Sequence, residues 1–261
     1  MTAALAPARP LEVQGLSLSF GGNHVLQGID MTVMPGQITG LIGPNGAGKT
    51  SFFNCLTGLY SPQVGSIRLG EVRLEKVPPT GRAALGFSRS FQHVALCPEL
   101  SVVENVMVGL DRQSAAGWLD AFLPLPRGRR ERAANRESAL AALTRLGIAE
   151  VADESPSQLP PGVLRLAEIA RAIAGRPRVL LLDEPAAGLN SVETRDLSNA
   201  LMKLRAPDLA LVVVEHDMDL IMEVCDVIHV LNVGRLLASG SPAQIRSNRE
   251  VVKVYLGDDD A

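Results

Sequence analysis

The sequence predicts an α/β fold, in which a parallel sheet is covered by helices on both faces and a largely helical segment is inserted. Residues 179–182, 209–214 and 227–231 are continuous apolar runs separated by helical patterns, as expected for parallel strands buried on both faces. Residues 43–50 read GPNGAGKT and lie between a short apolar strand and a helical pattern. This order of strand, glycine-rich loop and helix is the phosphate-loop unit of α/β proteins.

The remaining elements follow in an order that supports this fold. Residues 11–42 combine β-forming residues with turns and predict a β-rich entry to the core, which ends in the strand at 37–42. Residues 51–59 continue the glycine-rich loop as a helix, and residues 66–77 predict one more hairpin. From residue 101 to about residue 174 the pattern changes to helix. The sequence therefore predicts a helical insertion in an α/β protein.

Composition restricts the class of protein. The chain has 261 residues, of which 46% are hydrophobic, enough for one large domain or a core with an inserted subdomain. Its net charge of −3 argues against nucleic acid as a partner, because nucleic-acid binders are normally basic. No apolar run approaches the length that spans a bilayer. Cys55, Cys97 and Cys225 have no metal-ligand spacing and are expected to be buried thiols in a reducing compartment.

The glycine-rich loop predicts a site for a nucleoside triphosphate. Glycines allow the backbone to turn its N–H groups toward phosphate oxygens at a helix N-terminus, where the helix dipole favours negative charge. Lys49 is expected to reach the β- and γ-phosphates, and the Thr50 hydroxyl to hold Mg²⁺. The alternative, a glycine-rich turn that binds nothing, does not explain the complete motif in its strand-to-helix context. The predicted nucleotide-binding residues here are Gly43, Pro44, Asn45, Gly46, Ala47, Gly48, Lys49, Thr50 and Ser51.

Two adjacent acids follow the apolar run 179–182, in the sequence VLLLDEP. Side chains at the carboxyl end of a parallel strand lie at the ligand crevice of an α/β sheet. Asp183 is suited to bind Mg²⁺ directly or through water, and Glu184 can polarise the attacking water. An acidic pair in a solvated loop is the alternative, which the nearby phosphate loop disfavours.

The order of motifs resembles an ATP-binding-cassette (ABC) ATPase over residues 11–240. This resemblance rests on the phosphate loop, Gln92, LPPG, VLLLDEP, AGLN and His216. A narrower similarity, to ATPase subunits of branched-chain amino-acid importers, rests on FSRSFQ, PELSVVENVMVG, VVVEHDMDLIM and ASGSPAQIRSNREVVKVYLG. The resemblance implies a RecA-like phosphate-loop core with an antiparallel β subdomain, a helical subdomain at about 93–174, and a C-terminal helical extension and tail at 241–261.

Three further roles come from this resemblance. Gln92 is implied to contact Mg²⁺ or the attacking water, and the alternative is an ordinary surface glutamine. His216 is implied to donate to the γ-phosphate and to orient Glu184; the alternative is a hydrogen-bonded histidine at a strand end. Phe20 stands where the family stacks an aromatic ring on adenine, but Phe20 shares one face of an alternating strand with Leu16 and Leu18, so a core role stays open.

The chain departs from the family at the signature motif, usually L-S-G-G-Q. The sequence here is Leu159-Pro160-Pro161-Gly162-Val163, and Pro160 replaces the serine whose hydroxyl would contact the γ-phosphate of the opposite subunit's ATP. The resemblance assigns Leu159 and Gly162 to that nucleotide. The aspartate of the following D-loop is replaced by Asn190. We expect a weakened composite site, because proline is tolerated at a helix start and the Gly162 amide remains.

The resemblance implies the ATPase subunit of an importer, with ATP and Mg²⁺ as cofactors and branched-chain amino acids as cargo. The implied partners are a second, different ATPase subunit, two transmembrane permease subunits and, indirectly, an extracytoplasmic substrate-binding protein. The implied location is peripheral, on the cytoplasmic face of the inner membrane. Importers of urea, amides or aromatic acids remain alternatives, as do a non-transport ABC ATPase and a catalytically weak regulatory subunit.

Overall fold

The computed structural model describes residues 9–90, 96–110 and 126–256. The described residues form two compact units. One unit contains the residues up to Arg89, the segment Arg178–Ala186 and the residues from Arg205 onward; the other contains Ser90–Pro177 and Ala187–Leu204. Gln92 and His93 lie outside the described residues.

The first unit contains two sheets. The strands are β1 Leu11–Phe20, β2 Asn23–Val33, β3 Ile38–Ile42, β4 Val64–Leu69, β5 Val72–Arg73, β6 Phe87–Arg89, β7 Val179–Asp183, β8 Ala210–Val214, β9 Val227–Asn232 and β10 Arg235–Gly240. In the described residues, one sheet has the strand order β2-β1-β4-β5 and is antiparallel, and the other has the order β10-β9-β3-β8-β7-β6. All pairings of the second sheet are parallel except that of β9 with β10.

The apolar runs of the sequence are the central strands of the parallel sheet. Every residue of β3, β7 and β8 is buried, which explains why these strands are continuously hydrophobic rather than alternating. The predicted α/β fold class is therefore confirmed. Because the three strands are parallel and adjacent, their carboxyl ends lie at one edge of the sheet, where α/β proteins bind ligands.

The helices are divided between the units. Helices of the first unit are α1 Lys49–Thr57, α2 Pro79–Ala84, α7 Met218–Val224, α8 Pro242–Arg246 and α9 Arg249–Leu256, and helices of the second are α3 Val102–Val108, α4 Pro126–Leu146, α5 Pro161–Ile173 and α6 Ser191–Lys203. Helix α3 begins with a capping box in which the Ser101 side chain accepts from the Glu104 amide. The second unit buries Val102, Leu143 and Ile169 completely.

Helix α1, which follows the glycine-rich loop, is held at its C-terminal end by a buried arginine. Arg82 of α2 is 2% exposed and donates to the carbonyls of Cys55 at 2.5 Å, Leu56 at 2.8 Å and Leu74 at 2.6 Å. The Cys55 carbonyl also accepts from the Gly58 amide at 3.2 Å, and the Leu74 carbonyl from the Val77 amide at 2.9 Å. Burial lowers the pKa of Arg82. The guanidinium therefore adds to these backbone bonds and supplies a donor for the terminal helix carbonyl of Leu56.

We expect Arg82→Met to lower the free energy of unfolding by about 1 to 3 kcal/mol, because it removes the donor of the buried Leu56 carbonyl and the second donor of the Cys55 and Leu74 carbonyls. Chemical denaturation of the purified chain measures this loss. Arg73→Met is the matched control, since Arg73 is exposed on β5, and its effect should stay within about 0.5 kcal/mol. Equal effects of the two substitutions would contradict this role of Arg82.

Two findings concern the composition arguments. None of the helices in the described part of the chain combines the length and apolarity that a bilayer crossing needs. Cys55 and Cys225 are buried, as expected, and burial raises their pKa values to about 11 and about 12. The expectation is wrong for Cys97, which is exposed. Its thiol donates to the Glu99 carboxylate at 3.0 Å.

Candidate functional site

The glycine-rich loop joins β3 to α1 and depends on two of its glycines for shape. Gly43 has a φ of 152° and Gly48 a φ of 104°, a region that side chains disfavour. A Cβ on Gly43 would collide with the Leu231 carbonyl, and one on Gly48 would lie 2.9 Å from the Val25 carbonyl. Only glycine therefore allows this loop to lie against β2 and β9. Asn45, Gly46 and Thr50 are exposed, so the outer side of the loop is accessible to a ligand.

Lys49 is the first residue of α1 and closes the loop on itself. Its Nζ donates to the Gly43 carbonyl at 2.5 Å and to the Pro44 carbonyl at 3.0 Å, and the residue is 9% exposed. Burial lowers the pKa of Lys49, while the carboxylates of Glu184 and Asp183 raise it. The lysine therefore lies within electrostatic reach of both acids that follow the apolar run. Lys49, Asp183 and Glu184 form one charged cluster, as the sequence predicts.

The two acids occupy different environments. Asp183 is the last residue of β7 and is 5% exposed. Glu184 is half-buried and has a φ of 46°, a left-handed conformation that costs a residue other than glycine about 1 to 3 kcal/mol. Its N–H donates to the Val214 carbonyl at 2.9 Å, which continues the pairing of β7 with β8. The backbone thus turns sharply at Glu184 while remaining tied to the edge of the sheet.

Glu215 anchors the loop that carries His216. It is fully buried and accepts from the backbone amides of Ala186 at 2.6 Å and His216 at 2.9 Å. It therefore ties the segment after Glu184 to the segment after β8. The His216 side chain is 65% exposed, and its Nδ1 lies 3.7 Å from a Glu215 carboxylate oxygen. Sequence analysis did not single out Glu215, although its position as an acid directly after a buried apolar strand could have indicated it.

Arg89, at the end of β6, was also not predicted as a site residue. One arm of its guanidinium donates to Oδ2 of Asp183 at 2.6 Å, and another donates to Oδ1 of Asn54 on α1 at 2.7 Å. The guanidinium carbon lies 5.7 Å from the ring centroid of Phe53. Arg89 therefore joins the end of β7 to the helix that follows the glycine-rich loop.

Two further residues that the resemblance assigns to the site are Phe20 and Gln92. Phe20 is 47% exposed and packs edge-to-face on Tyr60 with ring centroids 5.2 Å apart, so the alternative in which Phe20 belongs to the core is wrong. The reason is a shift in the β1–β2 register between Leu18 and Ser19, which interrupts the alternation. Gln92 lies outside the described residues, so its role stays a prediction.

In the second unit, the signature segment begins α5. Pro160 is the N-cap residue and Pro161 the first helical residue, so neither contributes an N–H. The Gly162 amide donates to Oε1 of Glu193 at 3.0 Å, and the Asn190 amide donates to Oε2 of the same carboxylate at 3.0 Å. These bonds, the one from Asn190 foremost, lower the pKa of Glu193. A carboxylate thus lies at the N-terminus of α5, where negative charge is favoured, and it engages the Gly162 amide.

The oxygen ligands present suit Mg²⁺. Among the described residues, no group of three or more His, Cys, Asp or Glu side chains could hold a metal ion by itself. Mg²⁺ does not need one, because it is commonly held by one or two protein oxygens together with substrate phosphates and waters. The buried Asp183 carboxylate already attracts a cation, the Arg89 guanidinium. The Asp183 carboxylate and the Thr50 hydroxyl are therefore oxygen donors of the kind that suits Mg²⁺.

Comparison with known proteins agrees with this geometry. The family model described as ABC transporter matches residues 26–187, and the model described as branched-chain amino acid ATP-binding cassette transporter matches residues 235–261. The chain is 42% identical to the high-affinity branched-chain amino acid transport ATP-binding protein LivG of Escherichia coli strain K12, over 95% of the chain and 98% of the relative. It is 43% identical to the corresponding protein BraF of Pseudomonas aeruginosa, over 96% and 99%.

A solved structure is similar over the same length. The nucleotide-free ATP-binding cassette from an ABC transporter has a TM-score of 0.81 and 26% sequence identity, with 96% of this chain and 100% of that chain covered. The family model covers more than half of the chain and includes the glycine-rich loop, Asp183 and Glu184. With this match and the two full-length relatives, the chain belongs to the ATP-binding-cassette transporter family.

Proposed function

We propose that this chain is the ATP-hydrolysing subunit of an importer for branched-chain amino acids. The assignment of this cargo is supported by the similarity of the chain to LivG and BraF along nearly its whole length. The C-terminal match at residues 235–261 supports it as well. The fold and the cluster of Lys49, Asp183 and Glu184 support ATP as the energy source, since this cluster lies where phosphate-loop proteins bind and cleave nucleotides.

Binding of ATP is assigned to the glycine-rich loop. The loop amides and the positive end of α1 attract phosphate oxygens, and the Lys49 ammonium, now held by the Gly43 and Pro44 carbonyls, is proposed to transfer to the β- and γ-phosphates. Thr50 and Asp183 would hold Mg²⁺, which supplies neutralisation of the developing phosphate charge. Phe20, exposed at the end of β1, is proposed to stack on adenine.

Hydrolysis is assigned to the carboxyl ends of β7 and β8. Glu184 accepts a proton from water as the water oxygen attacks the γ-phosphorus, and the bond to the β,γ-bridging oxygen breaks to give ADP and phosphate. His216 is proposed to donate to the γ-phosphate, with Glu215 holding its backbone. Gln92 is proposed to contact Mg²⁺ or the attacking water.

The subunit is proposed to work in an assembly on the cytoplasmic face of the membrane. Its membership of the ABC transporter family implies membrane permease partners. We propose two permease subunits, a second and different ATPase subunit, and indirect dependence on an extracytoplasmic binding protein. Within the chain, we propose an ATPase domain at 11–240, with a helical subdomain at about 93–174, and a C-terminal extension and tail at 241–261.

ATP turnover of the complete transporter in proteoliposomes tests the cargo. We expect turnover to rise above its basal rate when the cognate binding protein is supplied with leucine, isoleucine or valine, because the proposed function couples ATP hydrolysis to uptake of the cargo. The same complex with urea, an amide or an aromatic acid is the control. Stimulation by one of these, without stimulation by leucine, would contradict the proposed cargo while leaving the ATPase assignment intact.

A further inference from the structure

We propose that Arg89 is an internal counter-cation for Asp183, which keeps the metal site closed to divalent cations until a nucleotide is bound. The inference deepens the proposed function, since it rests on the role of Asp183 as a metal ligand. Arg89 is a positioning residue in this proposal, because it acts on the metal through Asp183.

The first step of the argument is the strength of the contact. Arg89 donates to Oδ2 of Asp183 at 2.6 Å, and the side chains of Arg89 and Asp183 are 16% and 8% exposed. Solvent therefore screens this pair poorly, and a charge-assisted hydrogen bond is stronger than a neutral one. A divalent cation that approaches Asp183 meets a fixed positive charge and must compete for a carboxylate oxygen.

The second step is that the guanidinium is held in place independently of Asp183. Asn54 accepts from its other arm at 2.7 Å, and the Phe53 ring packs under it at 5.7 Å. Both residues belong to α1, the helix that begins with Lys49 and Thr50. A planar, two-armed guanidinium can bridge Asn54 and Asp183 at once, whereas an ammonium cannot reproduce that geometry.

The third step is the charge balance. Arg89 offsets the negative charge of Asp183, and the positive charge of Lys49 offsets that of the neighbouring Glu184. The cluster therefore carries no excess negative charge that would attract a divalent cation. A nucleotide adds several negative charges at the same edge of the sheet, so metal binding becomes dependent on nucleotide. Arg89 is also the last residue of the first unit before the chain enters the second.

Binding of Mn²⁺ to the full chain without nucleotide tests this proposal, with the signal of free Mn²⁺ in electron paramagnetic resonance as the readout. We expect wild type to bind weakly, and Arg89→Gln to bind about tenfold more tightly or better, because removal of a nearby like charge favours the cation. Arg89→Met, which keeps the stem over Phe53, should behave like Arg89→Gln. Either variant decides the test if the other does not fold, as judged by circular dichroism.

Two controls complete the experiment. Arg89→Lys keeps the charge but loses the two-armed bridge to Asn54 and Asp183, so it should bind Mn²⁺ more weakly than the neutral variants do. Adding Asp183→Asn to Arg89→Gln should abolish the gained binding. Unchanged or weaker Mn²⁺ binding by the neutral variants would overturn the proposal. So would binding that survives Asp183→Asn, since the metal would then lie elsewhere. Because no ATP is present, failure here is distinct from failure of the proposed ATPase activity.

Discussion

We expect Glu184→Gln to lower the ATP turnover of the assembled transporter by about 10²- to 10⁴-fold, the usual effect of losing a general base, while ATP affinity stays close to that of wild type. The amide keeps the size of the side chain but cannot accept the proton of water. Lys49 and the glycine-rich loop, which are proposed to hold the phosphates, are unchanged in this variant. Phosphate release by the purified complex and direct titration with ATP measure the two quantities separately.

Two other variants separate a loss of hydrolysis from a loss of ATP binding and from a general effect of removing an acid. Lys49→Ala should weaken ATP binding itself, because it removes the buried cation that faces the loop carbonyls. Glu71→Gln is the matched control, since Glu71 is an exposed acid in the β4–β5 turn, and it should leave turnover unchanged. Turnover by Glu184→Gln within threefold of wild type would contradict the proposed role of Glu184 in hydrolysis. Unchanged ATP affinity of Lys49→Ala would contradict the proposed role of Lys49 in binding ATP.

The isolated chain is expected to be a poor ATPase. In the ABC family each ATP lies between the phosphate loop of one subunit and the signature motif of the other, so a homodimer of this chain would close both sites with LPPG. Pro160 and Pro161 lack N–H groups, and the Gly162 amide already donates to Glu193. Losing one hydrogen bond to a charged group costs about 1.5 to 3 kcal/mol, or about ten- to a hundredfold in binding.

A heterodimer resolves this difficulty. The site built from Lys49, Asp183, Glu184 and His216 would then receive the partner's signature, and only the partner's ATP would face the two prolines. Replacing Pro160 with Ser and Pro161 with Gly should therefore raise turnover at the partner's site alone. High activity of the unmodified chain as a homodimer would contradict this arrangement. Phosphate release by the isolated chain, with the Glu184→Gln variant as the blank, measures the activity of this homodimer.

The sequence predicted most of what is local. The strand, glycine-rich loop and helix around Lys49, and the acids at the end of β7, follow from continuous patterns of residue type, so their placement at one edge of the sheet could be derived. The antiparallel strand β10 was not identified, because Leu236, Leu237 and Ala238 are too short an apolar run to indicate a strand by themselves. Phe20 was ambiguous because a register shift near the end of β1 cannot be read from alternation.

The residues that sequence analysis missed act through contacts between distant parts of the chain. Arg89 and Asp183 are 94 residues apart, Gly162 and Glu193 are 31 apart, and Ala186 and Glu215 are 29 apart. Each is a polar side chain whose partner is fixed only when the strands and helices have packed. The positive φ of Glu184 is likewise invisible in sequence, because a residue other than glycine gives no sign of a left-handed conformation.

Turnover of the assembled transporter with one catalytic glutamate removed at a time tests the central claim most directly: this chain supplies the principal hydrolytic site. The account predicts that Glu184→Gln lowers phosphate release far more than the equivalent change in the partner ATPase subunit. Its reason is that only the partner's ATP faces Pro160 and Pro161. Equal losses from the two changes would contradict it, as would a larger loss from the change in the partner.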